Sequence, residues 1–325
     1  MRLPRDRGLL SKHVLHALQT GGSLPSGLWA DHGPTADLLH DEDAQLTLWV
    51  LYELHYRGFD DAAGDLEWDP ALLELRAGIE AGLERELRAA TAARLRQVPD
   101  SGDVGEQLLA FVAADDGPSS AAYLQRSADR AQFEHFLRQR SIYHLKEADP
   151  HTFVVPRIDG AAKAALAELQ YDEYGGGRTP RLHATMFGDA MEACGLDRTY
   201  GAYVDEATAL TLAVNNQMSL FALHRRLRGA ALGHLAAFEA TSSVPARKIA
   251  GGAERLGLPA AVAAYYSEHV EADSAHEQIA ARDICGGFVA DQPELRGDVF
   301  FGAAACLHLD GLAAQEMLDH WEHSS

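Results

Sequence analysis

Apolar residues recur along most of the chain with the 3.6-residue spacing of an amphipathic helix. Leucine and alanine follow this spacing, with glutamate and arginine between them, in residues 72–95, 121–148 and 210–238. The β-branched cluster at residues 152–155 is followed at once by Pro156, so it predicts an extended linker or a helix junction. The pattern therefore predicts an all-α protein of roughly ten helices packed as a bundle.

Clusters of glycine, proline and serine divide the chain, and one of them marks a candidate domain boundary. The stretch at residues 98–105 contains Pro99 and Gly102. It predicts an N-terminal helical region over residues 1–97 and a second domain over residues 98–325, which is long enough to form a core of its own. The amphipathic segments of the first region suit packing or association.

The charge balance narrows the class of partner. The 325 residues include 28 basic and 48 acidic side chains, a formal net charge of −20 at pH 7, and 47% of them are apolar. This composition is typical of a globular protein. Its negative surface would repel nucleic acid, whereas a small cationic or zwitterionic substrate is tolerated or favoured.

Cysteine usage and hydropathy indicate the compartment. Cys194, Cys285 and Cys306 are few, odd in number and widely spaced, which argues against a disulfide framework and against thiolate zinc sites. No apolar signal segment follows the basic N-terminal residues. The apolar run at residues 299–307 is far shorter than the roughly 20 residues of a bilayer span. We expect a cytoplasmic protein with no membrane partner.

Three potential metal ligands lie at helical spacing near the C-terminus. His269, Asp273 and His276 stand at positions i, i+4 and i+7, within roughly 60° of one another around an ideal helix. Two imidazoles and a carboxylate on one face can bind a transition metal. The alternative is a solvated helix face, because Glu268 and Glu271 add charge nearby.

A second pair of potential ligands flanks a glycine-rich segment. Glu173 and His183 are ten residues apart, and ideal helix geometry would leave them roughly 80° out of line. The three glycines at residues 175–177 and Pro180 would let the helix kink or unwind, so that both side chains reach one metal centre. A plain turn between two helices is the alternative. No Gly-Lys-Ser/Thr motif follows the glycines, which argues against a phosphate loop.

Two further glutamates complete the candidate set. Glu147 is expected on the helix that runs through His144, with Lys146 or the following turn as an alternative partner. Glu239 ends the apolar stretch at residues 232–238. If it is buried it needs a cation, either a metal ion or an arginine from another helix.

Three residues one helical turn from candidate ligands are candidates to line a substrate pocket. They are Tyr143, Met186 and Tyr266. Core packing is the alternative for each, because apolar and aromatic side chains at helical spacing also fill a core.

Together these segments resemble the haem-oxygenase-like diiron oxidases and oxygenases over about residues 121–286. That family has a glutamate on the first core helix, a carboxylate and a histidine on the second, and a later His-x3-Asp-x2-His helix. Its N-oxygenating branch has a further carboxylate on the intervening helix. The matching positions are Glu147, Glu173, His183, Glu239, His269, Asp273 and His276. The family has no ligand where His144 and His151 stand, so we expect these two beside the site or at the surface.

The resemblance implies an all-α, haem-oxygenase-like helical bundle with an additional N-terminal helical region, which the N-oxygenases use to form homodimers. It implies two Fe ions, cycling between Fe2+ and Fe3+, and O2 as co-substrate. The implied reaction is N-oxygenation of a small-molecule substrate, an amino acid or amine, through a peroxo-diferric intermediate. An external electron donor would be required, because the chain carries no flavin, nicotinamide or ferredoxin motif.

Two other functions remain open. One is oxidative C–C cleavage of an amino or fatty acid on the same cluster, which would release a one- or two-carbon product. The other is a metal-binding scaffold without catalysis, in which the acidic bundle serves assembly or storage. Consumption of dioxygen separates the scaffold from both enzymes, and the carbon count of the product separates the two enzymes.

Overall fold

The computed structural model describes residues 1–33 and 37–323, except for the side chains of residues 271–274. Within these ranges the regular structure is helical and no β-strand occurs, so the all-α prediction is confirmed. The α-helices in chain order are α1 (Leu9–Thr20), α2 (Leu28–His32), α3 (Glu42–Glu53), α4 (Pro70–Leu95), α5 (Val104–Ala113), α6 (Ser120–Arg126), α7 (Arg130–His144), α8 (Asp149–Thr152), α9 (Gly160–Glu173), α10 (His183–Ala193), α11 (Ala209–Leu223), α12 (Arg228–Ala240), α13 (Ser243–Arg255), α14 (Ala260–Gln278), α15 (Gly287–Asp291) and α16 (Arg296–His323).

Shorter helical turns connect these elements. They are the 3-10 helices Gly64–Trp68, Val155–Arg157, Gly175–Gly177, Thr179–Arg181, Val204–Glu206, Arg225–Leu227 and Pro293–Leu295, and the π-helix Ile279–Gly286. More helices are present than the periodicity predicts, because glycine and proline split several amphipathic segments into short pieces. Among the described helices, none combines the length and the apolar character needed to cross a bilayer.

Acidic side chains define where several helices begin. Asp41 accepts two backbone N–H hydrogen bonds at the start of α3. Asp69 does the same for α4, with Pro70 in the first turn. Asp129 and Gln132 form a reciprocal capping box at α7. These caps satisfy donors that a helix leaves unpaired at its N-terminus.

The segment at residues 152–155 is a helix junction, which is one of the two structures predicted for it. Helix α8 ends at Thr152 and a 3-10 helix begins at Val155. Pro156 lies in the first turn of that short helix, where its missing N–H costs nothing. The junction leads into α9, the last residue of which is a candidate ligand.

Helices α12 and α16 cross very closely within a hydrophobic core that extends from α1 to α16. A Cβ atom on Gly233 would lie 1.8 Å from the carbonyl oxygen of Val299, and one on Gly302 would lie 1.9 Å from that of Ala230. Only glycine permits this approach of the two backbones. The crossing therefore fixes the position of α12, whose C-terminal end reaches the candidate site.

The N-terminal helices pack directly on the rest of the chain. Helix α3 packs against α11, and α4 packs against α16. The ammonium group of Lys146 donates to the carboxylate of Glu53, and both side chains are fully enclosed. The hydroxyl of Tyr200 donates to the same carboxylate over 2.7 Å. Buried contacts thus join residues on the two sides of the predicted boundary, and the division into residues 1–97 and 98–325 stays a prediction.

Candidate metal centre

Three of the candidate ligands meet at a first position, here called site A. Glu147, His183 and His269 each offer one ligand atom, and these atoms all lie within 4.8 Å of one another. The Nε2 atom of His269 is 3.6 Å from Oε1 of Glu147. The rings of His183 and His269 are 4.5 Å apart between centres. Site A therefore draws its side chains from the turn after α7, the start of α10 and the middle of α14.

Three more candidates meet at a second position, here called site B. Glu173, Glu239 and His276 are buried, and their ligand atoms also lie within 4.8 Å of one another. The Nδ1 atom of His276 is 3.5 Å from Oε1 of Glu173 and 3.6 Å from Oε2 of Glu239. These residues come from the C-terminal ends of α9 and α12 and from α14. The two histidines of α14 thus serve different sites.

Glu147 does not lie on a helix, and this prediction was wrong. Helix α7 ends at His144, and Glu147 lies in a turn over residues 145–148. Ala148 has a φ of 72°, a left-handed conformation that ends the helical path. Pro150 lies in the first turn of the next short helix, α8, and could not have continued α7.

The break between Glu173 and His183 combines both predicted possibilities. The helix unwinds into two 3-10 turns, and these form the connection between α9 and α10. Gly175 has a φ of 67°, and a Cβ atom there would lie 2.4 Å from the carbonyl carbon of Arg181. This close approach folds the segment back on itself and places Nδ1 of His183 2.9 Å from Oε2 of Glu173.

Sites A and B face one small cavity. Its volume is about 10 Å³, and its wall includes Glu147 and His269 from site A and Glu173 and Glu239 from site B. The contact between His183 and Glu173 also joins the two sites directly. The seventh candidate ligand, Asp273, has its side chain outside the described residues.

In both sites, buried carboxylates and imidazoles shift each other's pKa values. Burial alone would raise the pKa of Glu147, but His144 and His269 outweigh it and hold that pKa well below its usual range. Burial opposes protonation of His276, but Glu239 and Glu173 outweigh it and raise the imidazole pKa to about 9. Each cluster therefore draws in positive charge, either as protons on imidazole or as a metal cation.

Two residues that are not candidate ligands hold Glu147 in place. The hydroxyl of Tyr265 donates to Oε2 of Glu147 over 2.8 Å and lies 2.8 Å from Nδ1 of His144. The same Nδ1 atom is 3.0 Å from Oε1 of Glu147. His144 is thus a buried neighbour of the site, one of the two placements that we expected. Tyr265 was missed, although its position one turn before His269 was a signal.

A larger cavity of about 330 Å³ opens beside site A. Glu147 and His269 lie on its wall, and so does Tyr266, one of the three predicted pocket residues. Tyr143 instead borders two smaller cavities. Met186 packs against the hydrophobic core and does not border these three cavities.

Sequence reasoning missed two charged residues on this wall. Arg140 and Asp310 both border the 330 Å³ cavity. Arg140 stands four residues before His144 and seven before Glu147, so helical periodicity could have placed it near the site. Asp310 lies on α16, which carries no candidate ligand, so no local spacing indicated it.

The donor set fits iron. Three carboxylates and three imidazoles supply oxygen and nitrogen ligands, which suit ferrous and ferric ions. Among the described residues, Glu147 and Glu173 form ion pairs with histidines, and Glu239 pairs with His276. A metal cation at each site would balance this buried negative charge.

Known proteins share this fold. The chain is similar to a crystal structure of a CADD-like protein of unknown function from Nostoc punctiforme PCC 73102, with 19% identity and a TM-score of 0.52; the match covers 68% of this chain and 96% of the other. A second crystal structure with the same description matches with 19% identity and a TM-score of 0.48, covering 74% and 97%. No curated protein matches the sequence.

A family model gives the more specific assignment. The model described as iron-containing redox enzyme matches residues 134–311, more than half of the 325 residues. The matched range includes all seven candidate ligands and the wall residues Arg140 and Asp310. The chain therefore belongs to the family of iron-containing redox enzymes, within the haem-oxygenase-like superfamily.

Proposed function

We propose that the protein holds two iron ions at sites A and B and uses dioxygen to oxidise the nitrogen of a small organic substrate, an amino acid or amine. One observation carries this proposal: two sets of three ligands face the same small cavity. Metals held there would lie close enough to act together. Asp273 remains in the proposed ligand set because of its place in the His-x3-Asp-x2-His motif.

The chain's own residues prepare the site for this chemistry. When bound, a pair of ferrous ions supplies the electrons and the open coordination positions that dioxygen reduction requires. Glu147, Glu173 and Glu239 neutralise the cations, and Tyr265 with His144 fixes the orientation of Glu147. The aromatic rings of Phe136, Phe238 and Tyr266 line the adjoining cavity and make part of its wall apolar.

The cavity and the charge of the protein support a nitrogen-containing substrate. A volume of about 330 Å³ admits a small molecule, and Glu147 and His269 lie on the cavity wall. The net charge of −20 attracts a cationic amine. Glu239, the carboxylate that distinguishes the N-oxygenating branch, belongs to site B. We therefore favour N-oxygenation over C–C cleavage.

Anaerobic reconstitution with ferrous iron tests the metal sites. The protein should bind two irons per chain, whereas Glu147→Gln and Glu173→Gln should each bind about one, because each variant weakens a different site. Glu168→Gln is the matched control, since Glu168 is an exposed residue of α9, which also carries Glu173. Two irons in both site variants would contradict the proposed ligands.

The reaction with dioxygen tests the activity. Mixing the two-iron protein with dioxygen should produce a transient visible absorption band, and amino acids or amines should be converted with no loss of carbon. Release of a one- or two-carbon product would favour oxidative cleavage instead. Stoichiometric iron without dioxygen consumption would favour the scaffold function.

We also propose a cytoplasmic homodimer, with residues 1–97 at the interface. Leu9 and Trp68 in this region are each 68% exposed, and a partner chain would cover this apolar surface. A mass of about twice 35.2 kDa is expected from light scattering at micromolar concentration. Trp68→Glu should reduce the mass toward that of one chain. A single-chain mass for the native protein would refute the dimer.

A further inference from the structure

Arg140 and Asp310 place opposite charges on the wall of the 330 Å³ cavity. Arg140 lies on α7 one helical turn before His144, whereas Asp310 lies on α16. The two helices come from distant parts of the chain, so this juxtaposition depends on the tertiary fold. Both residues also border a recess of about 50 Å³ that adjoins the larger cavity.

The surrounding protein leaves both charged groups able to bind a ligand. Among the described residues, Arg140 forms no ion pair, and its guanidinium carbon lies 5.6 Å from the centre of the Phe136 ring. The carboxylate of Asp310 has the weak thiol donor Cys306 at 3.7 Å. Burial raises the pKa of Asp310, and the positive charge of Arg140 opposes this rise. Each is available to a ligand.

The adjoining recess contains more unsatisfied polar groups. Gln217 is completely buried and Asn215 is 3% exposed. Within the described residues, both amide atoms of Gln217 and the Oδ1 atom of Asn215 have no hydrogen-bond partner. Buried polar atoms are rarely left in this state. A polar ligand group or ordered water in the recess would satisfy them.

The wall of the 330 Å³ cavity combines different kinds of side chain. Glu147 and His269 belong to site A, and Arg140 and Asp310 carry opposite charges. Apolar side chains, including Phe136 and Leu307, also line the cavity. A ligand that complements this wall carries both signs of charge, an apolar portion and a group that can react at site A.

We propose that Arg140 binds the carboxylate and Asp310 the ammonium group of an α-amino acid, so that the substrate's side chain extends toward Glu147 and His269. The planar guanidinium group matches a carboxylate in a two-point contact. Because the α-ammonium is held by Asp310, the atom that reaches site A belongs to the side chain. This proposal rests on the proposed function for the identity of the reacting end, but the head-group contacts stand independently of it.

Calorimetric titration of the metal-free protein tests the head-group contacts. The probes are L-lysine, pentane-1,5-diamine, which lacks the carboxylate, and 6-aminohexanoate, which lacks the α-ammonium. L-Lysine should bind at least about tenfold more tightly than either analogue, since each lost contact involves a charged group. Absence of L-lysine binding, or equal binding of all three probes, would overturn the proposal.

Two variants assign each contact to one residue. Arg140→Met should bind L-lysine and the diamine equally, while it still discriminates against 6-aminohexanoate. Asp310→Asn should lose only the discrimination against 6-aminohexanoate. Arg130→Met is the matched control, because Arg130 is an exposed residue of the same helix and pairs with Glu134. It should leave all three affinities unchanged.

A merely structural role would give a different result. If Arg140 only stabilised the fold, Arg140→Met would weaken all three probes together, and the proposal would be wrong. Arg140→Lys keeps the positive charge and should retain part of the preference for L-lysine, which guards against a variant that fails to fold. Iron content and dioxygen consumption are measured separately, so a failure here leaves the proposed function standing, and the reverse also holds.

Discussion

At the scale of single residues, the hydroxyl of Tyr265 is the contact that most directly orients a proposed iron ligand. Burial raises the pKa of Tyr265 well above its usual value, so the hydroxyl stays protonated and can donate to Glu147. Tyr265→Phe removes this hydrogen bond and frees the carboxylate. We expect the affinity of site A for ferrous iron to fall about 10- to 100-fold, as is typical when the partner of a ligand is lost.

Anaerobic iron titration measures this effect, with Tyr266→Phe as the matched control. Tyr266 is the next residue in the chain and is equally buried, but its hydroxyl forms no hydrogen bond among the described residues. Its substitution should leave iron affinity unchanged. Equal losses in both variants would mean that the phenylalanine substitutions perturb packing rather than the ligand.

Local spacing predicted the residues that converge, but it did not predict the residues that support them. His269 and His276 are two turns apart on α14, and the helix alone determines that relation. Arg140 and Asp310 border one cavity although they lie on helices that are far apart in the chain. This placement depends on tertiary packing, so the periodicity of one segment carries no signal for it.

At the scale of elements, the turn that carries Glu147 is held by the end of α3 and by the turn that follows it. Lys146 pairs with the buried carboxylate of Glu53, and the guanidinium of Arg57 donates to the carbonyl oxygen of Leu145 over 3.0 Å. Lys146→Met leaves Glu53 buried without its cation. We expect a loss of about 3–5 kcal/mol in the free energy of unfolding, measured by urea denaturation.

The double variant Lys146→Met/Glu53→Leu separates lost charge from lost packing. It removes both ions, so much of the stability lost in the single variant should return. Iron affinity of site A should follow the same order, because the turn positions Glu147. A double variant as unstable as the single one would show that the ion pair does not hold the turn.

The close crossing of α12 and α16 should make the fold sensitive to any side chain added at the crossing glycines. Gly302→Ala would place a methyl group against the backbone of α12, and we expect it to lower the free energy of unfolding by about 1–3 kcal/mol or more. Gly297→Ala on the same helix is the control, because nothing lies within 4 Å of a Cβ atom there. Thermal and urea denaturation should show this variant to be neutral or slightly stabilised.

The periodicity of the sequence predicted the helices, but it placed the end of α7 too late. Periodicity extends through residues 121–148, yet α7 stops at His144. The signal was present in Pro150, since a proline and the residue before it disfavour a continued helix. The glycines at residues 175–177 were interpreted correctly as a break, because positive φ angles are available to glycine at no steric cost.

At the scale of the whole molecule, buried histidines make folding sensitive to acid. His151 is 3% exposed, and burial lowers its pKa to about 4. His234, whose ring lies 5.5 Å from that of His151, also has a lowered pKa because it is buried. Both histidines pack in the interior near the junction of α8 and α12, so their protonation opposes the native packing.

The pKa of His151 is lower in the folded chain than in the unfolded chain, and this difference makes stability depend on pH. An unfolded histidine takes up a proton below about pH 6.5, whereas folded His151 does so only near pH 4. Stability is therefore fully present above pH 6.5 and falls as the pH decreases toward 4. At pH 5, His151 should account for about 2 kcal/mol of the loss.

His151→Gln removes this titration while keeping a side chain of similar size. Urea denaturation of the metal-free native protein and of the variant, from pH 7.5 to pH 4.5, measures the effect. The difference in unfolding free energy between them should be constant above pH 7 and should shrink, or reverse in sign, as the pH falls, because the variant loses less stability. If the two curves remain parallel throughout this range, His151 has the same pKa in the folded and unfolded chains. The prediction that burial beside α12 lowers its pKa would then be wrong.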